Sequence, residues 1–499
     1  MAQALFEVAT PDASPAKQPS LMGRIKRALI KTFVREKLDN GVGYLLLSGM
    51  ALLFAWLIGQ FGFTAVVSLL AILVVIPTLM GSLFHVRFGL MTLIGASFFL
   101  ILLKRLSGDP PLGLYVDAAL VCGLFGIFIR QIRERNWDFL WNPVTMMLLL
   151  WWAYCMVELI NPWTVSQTAW FYSVRGIGTW ASIFVVSLYA LKRVDHVRGF
   201  GMLVLSLGLL GALYGFWQEW RGLQEFEWNW IMENSDRFGR FYAFGRFRKF
   251  SFFAHPGIFG MLMGGLFVWT IGLLSRPNRQ KRTLILLICS AVIFGGAMLL
   301  SGTRTAFVVV PVTLLFMVLL RPRLPMLLAA GSVLALGAAM AFMPTTHPVL
   351  QRYQTAFNPE DAISLQTRLR NQAYIQPFIQ EHPIGAGMGA TGEFGQQFSP
   401  YTLLSQFPSD SGYVRIAVET GWVGLLVYLS LMATMLLTGV RAYFRTRDER
   451  KRSWIAALMG FVCFMIIGHY AQETISELPL GLICFTAVAA AIRLPEAKA

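Results

Sequence analysis

Fourteen apolar runs, most of them long enough to cross a bilayer as helix, dictate what this 499-residue chain can fold into. A helical crossing needs roughly 20 consecutive apolar residues. The runs fall near 43–60, 63–82, 88–104, 113–130, 142–160, 176–192, 199–218, 256–275, 283–301, 304–320, 325–343, 412–440, 454–472 and 477–493. The first two lie close enough together for a tight hairpin, so the expected count is about 12–14 spans. Only 14% of residues are charged, against about 25% in a soluble protein. The runs are continuous rather than alternating, which excludes a transmembrane β-barrel. The expected fold is therefore all-α, a polytopic transmembrane helical bundle.

Charge orients the bundle. The net charge of +16 would suggest nucleic acid in a soluble protein, but here the basic residues sort by side. With the N-terminus cytoplasmic, 28 Lys and Arg fall on the inner side and 14 on the outer side. Short connections such as RQIRERNWD, KRVDHVR, SRPNRQKR and RAYFRTRDERKR all map inside, as the positive-inside rule requires. No nucleic-acid partner is needed to explain them. The expected organisation is a basic cytoplasmic segment at 1–40 and a transmembrane part at 41–343 with an aromatic, basic periplasmic loop at 219–255. A large periplasmic loop follows at 344–411, then further spans at 412–493 and a cytoplasmic tail at 494–499. The stretch LMGRIKRALIKTFVREKL near the start suits either an amphipathic surface helix or a disordered basic tail.

Five cysteines all lie inside apolar runs without metal-ligand spacing and read as packing residues. Ionisable groups at span ends gather on the outer side: Asp117, Glu158, Arg175, Glu219, His255, Arg304, Asp410, Arg415, Glu419, His469, Glu473 and Glu477. The midplane is nearly bare, whereas ion-coupled transporters bind near it.

Arg304 sits in MLLSGTRTAFVVV, between two apolar runs, where an unemployed charge is costly. Gly302 permits a tight turn, and Ser301 or Thr303 can cap the helix that follows. An arginine at the positive end of a helix favours an anion, phosphate above all. The bland alternative is an interfacial arginine reaching lipid headgroups.

Several segments together resemble the O-antigen ligase and O-antigen polymerase superfamily of bacterial surface-polysaccharide enzymes. They are FRKFSFFAHPGIFG, SGTRTA, RLRNQAYIQPFIQEHPIGAGMGATGEFG and SDSGYVRIAVETGWVGLLVYL, in that order over about residues 200–440. The resemblance implies a GT-C type membrane glycosyltransferase whose donor is a polyprenyl-pyrophosphate-linked oligosaccharide. It matches Arg304 to the turn arginine and Arg368 to the arginine opening the loop helix, with Arg370 beside it. His382-Pro383-Ile384-Gly385 falls on the His-Pro-Gly segment, Glu419 on the Glu-x-Gly span signature, and Arg246 or Arg248 on the arginine before the His255-Pro256 span start. Two features depart from the ligase pattern. Ser409-Asp410-Ser411 stands where ligases have His-Asn, and Gln372 or its neighbours replace the helix tryptophan.

The implied chemistry asks for cations on the leaving pyrophosphate and a base for the acceptor hydroxyl. The expected catalytic residues are Asp410, Arg304 and Glu419, with Arg246, Arg248, His255, Arg368, Arg370, His382 and Arg175 binding substrate. His255 is a further base candidate. A single base with direct displacement inverts the anomeric centre. No metal or cofactor is expected. Expected partners are the lipid-linked donor, a glycan acceptor and membrane lipids, with a chain-length regulator or export machinery beside them. Simpler readings stand next to these. His382-Pro383 can merely end the loop helix, and Glu419 can pair with Arg415 one turn away. The aromatic run 226–253 suits an interfacial anchor as well as a sugar platform, and the Gly-rich stretch allows close approach to a glycan. The leading expectation is a repeat-unit polymerase in the inner membrane; a ligase, a transporter of lipid-linked glycan and a scaffold are the rivals.

Overall fold

A computed structural model describes residue 39 and residues 41–107, 112–243, 245–276, 280–357, 363–408 and 411–497, apart from the side chains of 58, 61–72, 107, 112, 235–236 and 363–365. Nearly all of the expected basic segment at 1–40, and Asp410, lie outside these residues. The chain divides into two compact units, Met1–Leu70 and Ala71–Ala499.

The first helix, α1, runs unbroken over Gly41–Phe84. No turn separates the runs 43–60 and 63–82, so the tight hairpin does not form. The link Gly59-Gln60-Phe61-Gly62 offers no Pro or Asn to turn the chain. Apolar backbone in lipid satisfies its own hydrogen bonds most simply by remaining helical.

The second unit is helical almost throughout. It holds α2 (Val86–Ser97), α3 (Leu100–Ser107), α4 (Leu112–Glu134), α5 (Pro143–Val157), α6 (Gln167–Ala190) and α7 (Val194–Arg221). A polar interlude follows, with α8 (Glu225–Met232), α9 (Ser235–Phe241) and a two-residue hairpin, β1 (Tyr242–Ala243) and β2 (Arg246–Phe247). Then come α10 (Pro256–Leu274), α11 (Lys281–Ser301), α12 (Arg304–Leu320), α13 (Leu324–Phe342), α14 (Pro348–Gln354), α15 (Ile363–Glu381) and α16 (Gly392–Phe398). The chain closes with α17 (Gly412–Arg445), α18 (Glu449–Gly468) and α19 (Leu480–Arg493). Among the described residues nine helices are long and apolar enough to cross a membrane, or ten if α2 and α3, bent by 50°, count as one span. Shorter apolar helices include α12 and α19. This is an all-α, multi-pass membrane bundle.

Its centre is the pair α10 and α18. Of their most apolar windows, 89% and 78% respectively are buried inside the protein. Glycines make that possible. A Cβ at Gly265 would lie 2.7 Å from Phe461, and one at Gly272 would lie 2.7 Å from the Ala457 backbone. Small residues at such crossings let helices approach closely where no hydrophobic effect drives them together in lipid.

The aromatic interlude packs into a small core of its own. Phe241, Phe250 and Ile231 are buried, with Trp230 against them. The Arg105 guanidinium lies over Trp230 and Phe250 at 4.5 and 4.6 Å and donates to the Ser251 carbonyl at 3.0 Å. Gln218 accepts from Ser251 N–H at 2.8 Å and donates to Glu227 at 2.7 Å. These bonds hold the segment 248–255 against the top of the bundle, which positions Arg248.

Candidate functional site

The turn Ser301-Gly302-Thr303 joins α11 to α12 and gathers arginines around it. Gly302 takes the left-handed conformation (φ 59°) and caps α11. The cap leaves carbonyls at the negative end of that helix, and two guanidiniums use them. Arg248 donates to the Ser301 carbonyl at 2.9 Å and to the Thr303 hydroxyl at 3.3 Å. Arg352, on α14, donates to the Gly302 carbonyl at 2.6 Å. A Cβ at Gly302 would sit 2.7 Å from the Arg352 side chain and 3.7 Å from that of Arg248. Glycine is thus required twice, for the backbone and for the room.

Arg304 opens α12 at the N-terminal end, as expected, but the cap is not the expected one. Thr303 makes no side-chain cap bond; its hydroxyl donates instead to the Pro256 carbonyl at 2.9 Å, tying the turn to α10. The positive field of Arg368, on α15, reaches Arg304. Burial first, and then Arg352 and Arg304, push Arg248 down to about 9; burial and Arg304 push Arg352 down to about 10. Four guanidiniums from four separate segments lie within electrostatic reach of one another. A cluster of one sign in a fixed place attracts ligands of the opposite charge.

Arg246 and Arg248, two residues apart, part company. Arg246 pairs with Glu219, which also meets Lys249 at 3.4 Å. Arg248 is the member that joins the cluster. Arg352 was not anticipated, because QRYQ in a polar loop carries no signal that it will fold back 50 residues onto Gly302.

His255 is the N-cap of α10, its Nδ1 accepting from Gly257 N–H at 3.1 Å and Ile258 N–H at 3.4 Å. Burial, Arg248 and Arg240 lower it to about 4, so the ring stays neutral. With Nδ1 engaged as acceptor, Nε2 carries the proton. His255 is therefore placed as the cap of α10. His382 ends α15: its Nδ1 bonds the Phe378 carbonyl at 2.9 Å and its ring stacks on Phe378 at 4.1 Å. Arg370 is exposed on α15.

The Gly-rich stretch after His382 packs against protein backbone. Gly385, Gly387 and Gly389 all have positive φ, and α17 breaks at Gly421 (φ 69°). The break frees the Val418 carbonyl, which accepts from Ala386 N–H at 2.9 Å; Val423 N–H donates to Pro383 at 3.2 Å. A Cβ on Gly421 would overlap the Pro383 carbonyl. The close approach anticipated for a glycan is made here by α17 itself.

Beside this junction lies a cavity of about 370 Å³. Glu419 lines it, 5% exposed, accepting from Thr391 at 2.9 Å and Arg415 at 3.0 Å. Arg415 also meets Glu473 at 2.6 Å. Arg175 lines the same cavity, paired with Asp117 at 3.1 Å, and so stands apart from the arginine cluster. The connection 469–479 borders both places. Gln472 reaches Thr305, next to Arg304, at 3.5 Å, while Glu473 faces the cavity.

Gly302→Ala tests the turn. Left-handed backbone costs a non-glycine residue about 1–2 kcal/mol, and the new methyl group displaces Arg352. The expected outcome is a small drop in thermal stability with a more than tenfold loss of anion binding, measured by phosphate-analogue titration of the reconstituted protein.

The family model described as O-antigen ligase matches residues 289–429. That stretch contains the Gly302 turn, Arg304, Arg352, Arg368, His382, Glu419 and Gly421, and the match supports the O-antigen ligase and polymerase superfamily. No curated protein matches the chain.

Proposed function

We propose that this protein is a glycosyltransferase that polymerises polyprenyl-pyrophosphate-linked oligosaccharide repeats at the periplasmic face of the bacterial inner membrane. Surface polysaccharide of the exopolysaccharide, capsule or O-antigen kind is the product. One observation carries the reading: Arg248, Arg304, Arg352 and Arg368 gather around the Gly302 turn, the last three of them within the stretch that matches the family.

The pyrophosphate that bridges lipid and sugar is a dianion anchored at the bilayer surface, and it gains a further negative charge as it leaves. Guanidiniums fixed in place before it arrives stabilise the charge that grows as the bond to the anomeric carbon breaks. Their forks match phosphate oxygens two at a time. The acceptor is a sugar hydroxyl that needs a base within hydrogen-bond reach. Asp410, immediately before the Ser411 cap of α17, is assigned that part. Glu419, held by Arg415 and Thr391, acts as a positioning group for the junction. One base and direct displacement invert the anomeric centre. This chemistry requires no metal or cofactor.

A ligase is the second reading, favoured by the match to the O-antigen ligase family model. Reconstitution with the source cell's own lipid-linked repeat, followed by glycan sizing, separates them. Lengthening ladders are expected. A single transfer to an added acceptor overturns polymerisation in favour of ligation, and no transfer at all overturns both.

A further inference from the structure

The arginine cluster accounts for the donor and leaves the cavity beside it without a role. The cavity is bounded by α4, α5, α6, α17 and the connection into α19. Its wall carries five carboxylates, Asp117, Glu393, Glu419, Glu473 and Glu477, against two guanidiniums, Arg175 and Arg415. Asp117 is taken by Arg175, and Glu419 and Glu473 by Arg415. Glu393 and Glu477 line the void with no hydrogen bond or ion pair to their carboxylates among the described residues. Ser173 Oγ, on the same wall, is buried without a hydrogen-bond partner.

Resting on the donor site proposed above, we propose that this cavity binds a sugar unit of the acceptor glycan, with Glu393 and Glu477 accepting hydrogen bonds from its hydroxyls. An excess of carboxylates repels pyrophosphate, so the donor's leaving group is kept to the arginines and the cavity is left to a neutral, hydroxyl-rich ligand. Trp151, Tyr172, Trp180 and Phe394 supply flat apolar surface, which the C–H face of a pyranose needs. The volume lies at the small end of ordinary ligand pockets, roughly 300–1,000 Å³. No three of the carboxylates converge as metal ligands among the described residues. One connection serves both places: Glu473 lines the cavity while its neighbour Gln472 reaches Thr305, next to Arg304, at 3.5 Å.

Glu477 gives the site a pH signature. Burial, together with Glu473 and Glu393, raises it to about 7, while Arg415 pulls the other way. The ionised carboxylate is the stronger acceptor for hydroxyls. Acceptor affinity is therefore expected to rise as pH increases through about 7, and to become flat in Glu477→Gln.

The test uses the full-length reconstituted protein and two probes. One is the lipid-free repeat oligosaccharide, measured by equilibrium dialysis; the other is a non-hydrolysable polyprenyl-pyrophosphate analogue. Glu477→Gln and Glu393→Gln are each expected to weaken oligosaccharide binding about tenfold or more, the factor for losing a hydrogen bond to a charged group. Analogue binding is expected to remain within twofold. Loss of both probes' binding in a variant means misfolding, and Glu393→Asp, which restores the charge, must then recover oligosaccharide affinity or the proposal falls. If the wild-type protein binds no oligosaccharide up to millimolar concentration, or the Gln variants bind it unchanged, the cavity is not the acceptor site. Failure of the wild-type protein to bind the analogue overturns the donor reading instead.

Discussion

Arg304→Ala and Arg248→Ala are each expected to abolish measurable glycan lengthening by the reconstituted protein, with single-turnover transfer falling roughly a hundred- to thousandfold. That factor is the usual loss when one preorganised donor to a developing anion is removed. Both residues border the Gly302 turn, Arg248 through its bond to the Ser301 carbonyl and Arg304 as the first residue of α12. Lysine substitutions keep the charge and lose the fork, so they are expected to retain more activity than alanine and less than arginine. Arg246→Ala provides the contrast. Its partner is Glu219, outside the cluster, and its loss should leave turnover within a few fold. Glycan ladders from the Arg304→Ala protein equal in length and rate to those of the wild type would remove the arginines from the chemistry.

Gly421→Ala carries the largest expected effect on stability. The backbone there has φ 69° and ψ −176°, a region open almost only to glycine, and costs about 1–3 kcal/mol for another residue. The added methyl group also overlaps the Pro383 carbonyl, so the 383–387 segment must leave α17. Its departure breaks the Ala386–Val418 and Val423–Pro383 hydrogen bonds and strands buried backbone groups. A total loss of about 3 kcal/mol or more follows, visible as a large fall in the thermal transition in detergent. The neighbouring Trp422→Ala, on an exposed side chain, should change it little. A Gly421→Ala protein as stable as the wild type would mean that α17 can close its break.

These two substitutions also mark how much was legible beforehand. The tight turn at Gly302, the helix start at Arg304 and the Arg415–Glu419 pair are properties of neighbours within one turn, and all three stand where the local pattern put them. The loop helix α15 and its stop at His382 were equally local. The reading of GAGMGATG was less complete. The need for close backbone approach could be seen, but its partner could not, because Gly421 lies more than 30 residues on, inside a span that otherwise reads as continuous. For His255, a polar residue before Pro-Gly satisfies the signature of a cap and of a base equally. Only the two N–H groups pointing at Nδ1 distinguish them.

The membrane class and the helical architecture follow from the chain alone, because the length and continuity of apolar runs are local properties. Hydrocarbon also leaves backbone only one economical way to satisfy itself within such a run. Which cations lie together was decided by the tertiary structure. Arg248, Arg304, Arg352 and Arg368 belong to four segments spread over more than a hundred residues. Their meeting depends on the aromatic interlude docking through Gln218 and Arg105, and on α14 folding back to the Gly302 carbonyl. The separation of Arg246 from Arg248 has the same origin. Identical side chains two residues apart acquire opposite surroundings, a carboxylate for one and a helix end with like charges for the other. No property of either residue encodes that difference; it lies in what the rest of the fold brings to each.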